Sequence, residues 1–234
     1  MFPCWLEKQR LPYKMNQTSL FPGRFFTDAS SVKGAPSVKG ASGASGGFDM
    51  NMLTSDKWDE ALWQQAEPIY YEAFPAHGRK KRELIERMFA RNMCNLHVLM
   101  DGDEAVGMAL TGKTQNEDAS ALLIDYFAVK AARRGERIGQ RFMAMLKEWA
   151  QTLPHMDGII VEVEAEESEM NRSRIRFWES CGFTLTDYIH TYIWVPETYK
   201  AMYVELSPES RLPKDGQHLF SFITAFHKKA YARK

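Results

Sequence analysis

Residues 122–151 read LLIDYFAVKAARRGERIGQRFMAMLKEWAQ, and the rest of the chain is arranged around them. From Leu122 to Val129 nearly every position is apolar, the pattern of a strand buried on both faces. From Ile138 the apolar side chains recur at Ile138, Phe142, Met145, Leu146 and Trp149, one stripe of a helix. The linking residues Ala132 to Gly139 therefore stand at a helix N-terminus, where unpaired N–H groups and the positive dipole end favour an anion. Gly135 and Gly139 remove side chains where phosphates would approach the backbone. Arg133, Arg134 and Arg137 add charge-assisted donors. A phosphate site and a plain helix start with solvated arginines both fit this spacing. A Walker loop is excluded because no Gly-Lys-Ser/Thr occurs, and the G-x-G-x-x-G dinucleotide spacing is absent.

The composition is that of an ordinary globular protein: 234 residues, 44% hydrophobic, 30 basic against 30 acidic side chains. Neutral balance argues against nucleic acid as the partner, since phosphate neutralisation needs clustered positive charge. No apolar run approaches the ~20 residues of a membrane span, so no membrane partner is expected. The N-terminus lacks a signal-peptide core, being interrupted by Pro3, Glu7, Lys8, Arg10 and Pro12. Cys4, Cys94 and Cys181 are scattered and odd in number, which suits a reducing, cytoplasmic setting. The six histidines show no ligand spacing, so no metal site is expected.

Residues 1–49 do not read as core. Ser31 to Gly47, SVKGAPSVKGASGASGG, is linker-like, either a dispensable leader or a tether. The organised domain, 50–234, is expected to open with a helix capped by Ser55, with Trp58, Leu62, Ile69 and Ala73 inward and Pro68 kinking or splitting it. A second helix, Arg79 to Arg91, buries Leu84, Ile85, Met88 and Phe89. Its basic entrance, Arg79 to Arg82, reads as a solvated face or else a contact for an anionic ligand. Strands follow at Asn95–Met100 and Ala105–Thr111 around an Asp101-Gly102 turn, then a polar loop at Gly112–Ser120. After the opening stretch come a strand at Ile159–Glu164, a helix near Arg172–Cys181 stopped by Gly182, and strands at Phe183–Val195 and Lys200–Leu206. A last helix, 215–231, is capped by Asp215 with Leu219, Ile223, Phe226 and Ala230 inward. A helix between two strands implies a parallel pair, so the fold class is mixed α/β (α+β), one sheet flanked by helices.

The turn Arg134-Gly135-Glu136-Arg137-Ile138-Gly139 resembles the acetyl-coenzyme A motif of the GNAT superfamily of N-acetyltransferases, [QR]-x-x-G-x-[GA], with Arg137 in place of the inner glycine. IDYFAV at Ile124–Val129 resembles the family's preceding strand. VEVE at Val161–Glu164 resembles its fifth strand, often L-E-V. RIRFWESCGF at Arg174–Phe183 resembles its helix ending F-Y-x-x-x-G-F, with Trp178 at the Tyr position. The resemblance covers roughly Leu53 to Leu206, and the order of elements agrees with it.

The resemblance implies a single GNAT-like domain whose mostly antiparallel sheet contains a splayed parallel pair, with acetyl-CoA as cosubstrate. The backbone at Phe127, Ala128 and Val129 would hold the pantetheine arm, and the turn from Arg134 through Gly135, Glu136, Arg137, Ile138 and Gly139 to Gln140 the pyrophosphate. It implies direct acetyl transfer to an amine, which arrives mostly protonated and needs a base, while the oxyanion needs a donor and the leaving thiolate benefits from an acid. Glu162, Glu164 and Asp125 are the candidate bases. Glu162 and Glu164 share one strand face, and Glu162 falls on the glutamate that serves as base in some relatives. The acid is left open among Tyr126, Tyr188, water and a thiolate that leaves unassisted, because indole N–H at Trp178 does not release a proton in this pH range. Cys181 reads as a packed residue, and Trp149, Trp178 and Trp194 as core. Tyr188, Tyr192 and Tyr203 are candidates for lining an acceptor pocket. The acceptor is a small molecule or peptide bearing an amine, and the oligomeric state is open, a homodimer included. Two other classes compete: a non-catalytic acyl-CoA-binding or regulatory module, and an interaction protein whose arginine turn binds another polyanion.

Overall fold

The computed structural model describes residues 50–193 and 195–232, so the leader expected at 1–49 and Trp194 lie outside the described residues. In chain order the elements are β1 (Met50–Ser55), α1 (Glu60–Ala73), α2 (Arg82–Ala90), β2 (Cys94–Asp101), β3 (Glu104–Gln115), β4 (Ser120–Val129), α3 (Ile138–Gln151), β5 (Gly158–Glu164), α4 (Glu169–Ser180), β6 (Thr184–Leu185), β7 (His190–Thr191), β8 (Thr198–Glu205) and α5 (Gly216–Tyr231). The strands form one sheet in the order β1-β2-β3-β4-β5-β8-β6, with β7 also beside β8. Every pairing is antiparallel except β4 with β5, which α3 connects. This is the mixed, mostly antiparallel sheet with one parallel pair that the sequence implies.

Helices cover both faces. One layer packs Trp63, Ile85, Met88, Phe222 and Ile223 from α1, α2 and α5 on Leu110, Leu123, Tyr126 and Ile160. The other packs Met143, Leu146 and Trp178 from α3 and α4 on Leu122, Ile124, Ile159 and Val161. The predicted inward residues of α2 and α5 are all buried, because a 3.6-residue period records which face meets the sheet.

Four expectations are corrected. Ser55 caps no helix: it ends β1, an edge strand paired with β2 from Met50↔Asp101 to Ser55↔Leu96, and Asp59 caps α1 by accepting from the Leu62 N–H at 3.0 Å. Of the kink or split expected at Pro68, the split does not occur, because α1 runs unbroken to Ala73. Residues Gly112 to Gln115 are strand, so the loop is shorter than expected. The single strand expected at Phe183–Val195 is broken into β6 and β7. The first turn of α5 sits against that segment. A Cβ on Gly216 would come 2.6 Å from Thr186 Oγ1 and 2.7 Å from Tyr188 Cβ, which leaves no room for a continuous edge strand there.

The sheet divides at one residue. Leu110 pairs with Tyr126 and Thr111 with Ile124, so Asp125 is an extra residue with no partner on β3. Such a bulge bends its strand and sharpens the local twist. On the other side, β4 and β5 are paired only from Ala121↔Gly158 to Ile124↔Val161, although both strands continue. Beyond that point β4 keeps only β3, and β5 keeps only β8 out to Glu164↔Tyr199. The parallel pair is therefore splayed.

Helix α5 closes the α1/α2 layer by laying Phe226 over a glycine of β3. A Cβ at Gly112 would lie 2.0 Å from the Phe226 ring. Gly112→Ala is expected to lower stability by about 1–3 kcal/mol through overpacking, and Phe226→Leu in the same chain to recover part of it. Urea unfolding reads both; an unchanged midpoint for Gly112→Ala would contradict this docking of α5.

Candidate functional site

On the α3/α4 side of the splay, the edge of β4 that faces β5 has no strand partner after Ile124, and this is the edge of Phe127, Ala128 and Val129. The turn follows through a short 3-10 segment at Ala131–Arg133. Gly135 has φ +88°, and nothing stands within 4 Å of where its Cβ would be. Arg137 is the N-cap of α3 with φ +59°, and its side chain caps nothing. The left-handed region is where an L side chain is strained and glycine is not, so a glycine at this position of the motif has a clear physical reason. Arg137 keeps the turn's shape at a cost of about 1–2 kcal/mol. The first helical backbone bond shown is from Arg141 N–H to the Arg137 carbonyl, so the amides of Ile138, Gly139 and Gln140 precede the helical ladder. Gly139 permits a close approach, since its Cβ would stand 2.9 Å from the Phe177 ring of α4.

The arginines of this turn divide their work. Arg133 is bonded to Asp101 at 2.8 Å, Glu136 at 3.0 Å and Glu104 at 3.3 Å, and so fastens the turn to the β2–β3 hairpin instead of facing a ligand. Arg134 donates from Nε to the Val129 carbonyl at 3.2 Å. Arg137 is exposed and makes no ion pair with a described residue. Uncapped amides, a glycine with open space above it and an unpaired strand edge fit a pyrophosphate followed by an amide-bearing arm.

A polar cluster lies on the α1/α2/α5 side. Glu162 projects to this side with Ile160. It accepts from Tyr192 Oη at 2.8 Å on Oε2, and lies 3.2 Å from His227 Nε2 on Oε1. A quarter of its side chain is exposed. Burial works to raise its pKa, but the His227 and Tyr192 hydrogen bonds and the Lys80 charge outweigh this, holding the carboxyl below its usual range. Burial and the Glu162 charge push the Tyr192 hydroxyl upward, so it stays a donor.

Asp125 sits deeper. Its Oδ1 is 2.7 Å from Lys80 Nζ, and the two side chains are only 3% and 4% exposed. Burial opposes the Lys80 charge, yet Asp125 beside it holds the ammonium above its ordinary value. Of the run Arg79 to Arg82, expected as a solvated face or a contact for an anionic ligand, Lys80 is buried, because its carboxylate partner, 45 residues along the chain, stands on the bulge of β4. Tyr126 Oη donates to the Gly78 carbonyl at 3.0 Å and accepts from the Lys80 N–H at 2.9 Å, so it is a buried clamp on the α1–α2 loop.

Glu162 and Asp125 thus lie on one side of the sheet, and Lys80, paired with Asp125, also feels the Glu162 charge. Glu164, on the same strand face, stands apart: it is 3.5 Å from Arg174 of α4 and half-buried. Glu136 is taken by Arg133, and Gln140 is exposed at the helix start. Trp178 is buried against Phe127, Phe177 and Phe183, at 5.1–5.5 Å between ring centroids, and belongs to the core. Cys181 is buried, which pushes its thiol up. Tyr203 is buried in the sheet, and Tyr188 is partly exposed beside His190 and Phe220. Sequence reasoning missed Lys80 and His227. His227 lies four residues after the inward Ile223, and that i+4 relation was the available signal.

The acetyltransferase (GNAT) family model matches residues 58–183. Among solved structures, an acetyltransferase of the GNAT family from Bacteroides thetaiotaomicron is 21% identical with a TM-score of 0.57, covering 79% of this chain and 99% of that one. Arabidopsis thaliana Naa50, in complex with the bisubstrate analogue CoA-Ac-MVNAL, is 18% identical with a TM-score of 0.50, covering 65% and 97%. Arabidopsis thaliana NAA60, in complex with acetyl-CoA, is 12% identical with a TM-score of 0.52, covering 66% and 99%. At these identities the likeness establishes the fold. No curated protein matches the sequence.

The Lys80–Asp125 pair makes a stability claim of its own. Lys80→Met leaves a buried carboxylate without its cation and is expected to cost about 3–5 kcal/mol, most of it recovered by adding Asp125→Leu. A double-mutant cycle in urea that returns no coupling energy would contradict the pairing.

Proposed function

We infer that this chain, which belongs to the acetyltransferase (GNAT) family, carries the acetyl group of acetyl-CoA directly to a primary amine on a small molecule or peptide. The observation that carries this reading is the opening past Ile124↔Val161, with uncapped helix amides on one side and the Glu162 cluster on the other. Bound there, acetyl-CoA supplies the thioester that an amine can attack. The Ile138, Gly139 and Gln140 amides and the Arg137 guanidinium would hold the pyrophosphate, and the free edge at Phe127, Ala128 and Val129 the pantetheine amides. NAA60 and Naa50, whose complexes hold acetyl-CoA and a CoA–peptide analogue, lend support to the coenzyme and to a peptide among the acceptors.

The cluster on the other side suits the amine. Lys80 answers one carboxylate, so Asp125, Glu162 and Lys80 together leave one negative charge to attract an ammonium group. Glu162, held below its usual range, is the carboxylate that can draw off, directly or through a group bonded to it, the proton that must leave before the nitrogen can attack. Tyr192 Oη gives its one hydrogen to Glu162 at 2.8 Å, so on this side it orients the carboxylate.

Thiol release from acetyl-CoA against polyamines, amino acids, aminoglycosides and Met-initiated peptides tests the reading. Turnover with at least one of these amines is expected. Coenzyme binding without turnover across the panel would favour a binding module instead. Glu162→Gln is expected to lower kcat by about 100-fold or more while coenzyme affinity stays near wild type; full activity would remove Glu162 from proton transfer. Arg137→Ala and Arg137→Gly are each expected to weaken CoA by about 1.5–3 kcal/mol in calorimetry. Unchanged affinity in both would take the guanidinium out of the site.

A further inference from the structure

Among the described residues only two buried side-chain polar atoms lack a hydrogen-bond partner, Asp125 Oδ2 and His227 Nδ1. His227 is bonded to Glu162 and Asp125 to Lys80, on the α1/α2/α5 side of the sheet opening. Buried polar atoms are nearly always satisfied in folded proteins, so these two are open to a polar group from outside the chain. His227 comes from α5, beyond the stretch matched by the family. It is brought to Glu162 by the Ile223 and Phe226 packing that docks α5 on the sheet.

The tautomer follows from the partners. An ionised carboxylate only accepts, so Nε2 of His227 carries the hydrogen in its 3.2 Å contact with Glu162 Oε1. That leaves Nδ1 with its lone pair buried and unused. Glu162 is itself fixed by Tyr192 on its second oxygen, so the ring is held in one orientation. The imidazole meets Glu162 from β5, which Tyr192 from the segment after β7 also bonds; Tyr231 follows four residues on along α5, and the Lys80 charge acts on Glu162 from the Lys80–Asp125 pair.

We propose that His227 Nδ1 is the atom that takes the proton from the acceptor ammonium, with Glu162 acting on it through Nε2 as the positioning residue. This rests on the acetyl-transfer reading and assigns its base. The ammonium gives one proton to Nδ1, and the freed electron pair of nitrogen forms the N–C bond. The C–S bond breaks, and its pair stays on sulfur. The second amine proton then ends on sulfur, giving amide and thiol. The proton on the imidazole passes to solvent. Asp125 Oδ2 accepts a hydrogen bond from the ammonium as it arrives. The arrangement is that of a carboxylate holding an imidazole whose other nitrogen does the chemistry.

His227→Gln separates this role from that of a mere prop. Glutamine places an N–H donor where Nε2 stands and so keeps Glu162 bonded, but it offers no nitrogen that can accept a proton. The expected result is a fall in kcat of about 100-fold or more, with KM for acetyl-CoA and the melting temperature near wild type. Nitrogen-15 NMR of histidine-labelled protein, with His227→Gln identifying the signal, should show that the neutral ring carries its hydrogen on Nε2 and leaves Nδ1 bare. A His227→Gln variant with wild-type kcat, or an Nδ1–H tautomer, would overturn the proposal and return the base to Glu162. A wild-type chain that turns over none of the amines would overturn the acetyl-transfer reading itself, an outcome distinct from either.

Discussion

Asp125 is one residue more than β3 can pair with, and the architecture of the site depends on how the fold absorbs it. The bulge resets the alternation of β4. Tyr126 and Ala128 then face α1 and α5, while Phe127 and Val129 face α3. A one-residue slip of this kind turns every following side chain to the other face, so the bulge decides which side chains meet the coenzyme layer. It also bends β4 away from β5, and the sheet opens where an added strand-like ligand can bond. The carboxylate carried on the bulge is buried, which is costly unless a cation meets it. Lys80 meets it, and Tyr126 clamps the loop that carries Lys80. A buried ion pair is weak evidence for net stability, and its value here is geometric: it fixes the α1–α2 loop to the point where the sheet divides.

The two sides of the opening are built by different physics. The coenzyme side is mostly backbone: amides ahead of the first helical bond, a left-handed turn and an unpaired strand edge. Side chains there either keep out of the way, as at Gly135 and Gly139, or stitch the turn to its surroundings, as Arg133 does. The other side is made of side chains from distant parts of the chain: Lys80, Asp125, Glu162, Tyr192 and His227. Helix α5, outside the family-matched stretch, completes it. A backbone site tolerates substitution more readily than a side-chain site, which explains how Arg137 can stand at a glycine position while the turn keeps its shape.

What could be read in the sequence was whatever burial had written into periodicity. The strand–turn–helix from Leu122 to Gln151, the inward residues of α2 and the stripe of α5 all follow from it. Strand β1 could not be read, because it is a short edge strand that places Leu53, an apolar residue, on its exposed side. The break between β6 and β7 is imposed by the first turn of α5 against Thr186 and Tyr188, a contact between segments some 30 residues apart. The bulge was invisible because LLIDYFAV is apolar on both faces and has no alternation to interrupt. Glu162 and Asp125 stood out as charges within apolar strands. Their partners Lys80 and His227 did not, since a charge in a basic run and a histidine one step from a helical stripe both look like ordinary surface residues.

Hydrogen–deuterium exchange with and without acetyl-CoA bears most directly on the claim that the opening between β4 and β5 is where the coenzyme binds. The unpaired β4 edge at residues 125–129 and the amides of 135–140 should exchange readily in the free protein and be protected together on addition of acetyl-CoA, with the β2–β3 ladder unchanged. Protection confined to other segments, or none at saturating coenzyme, would contradict that account.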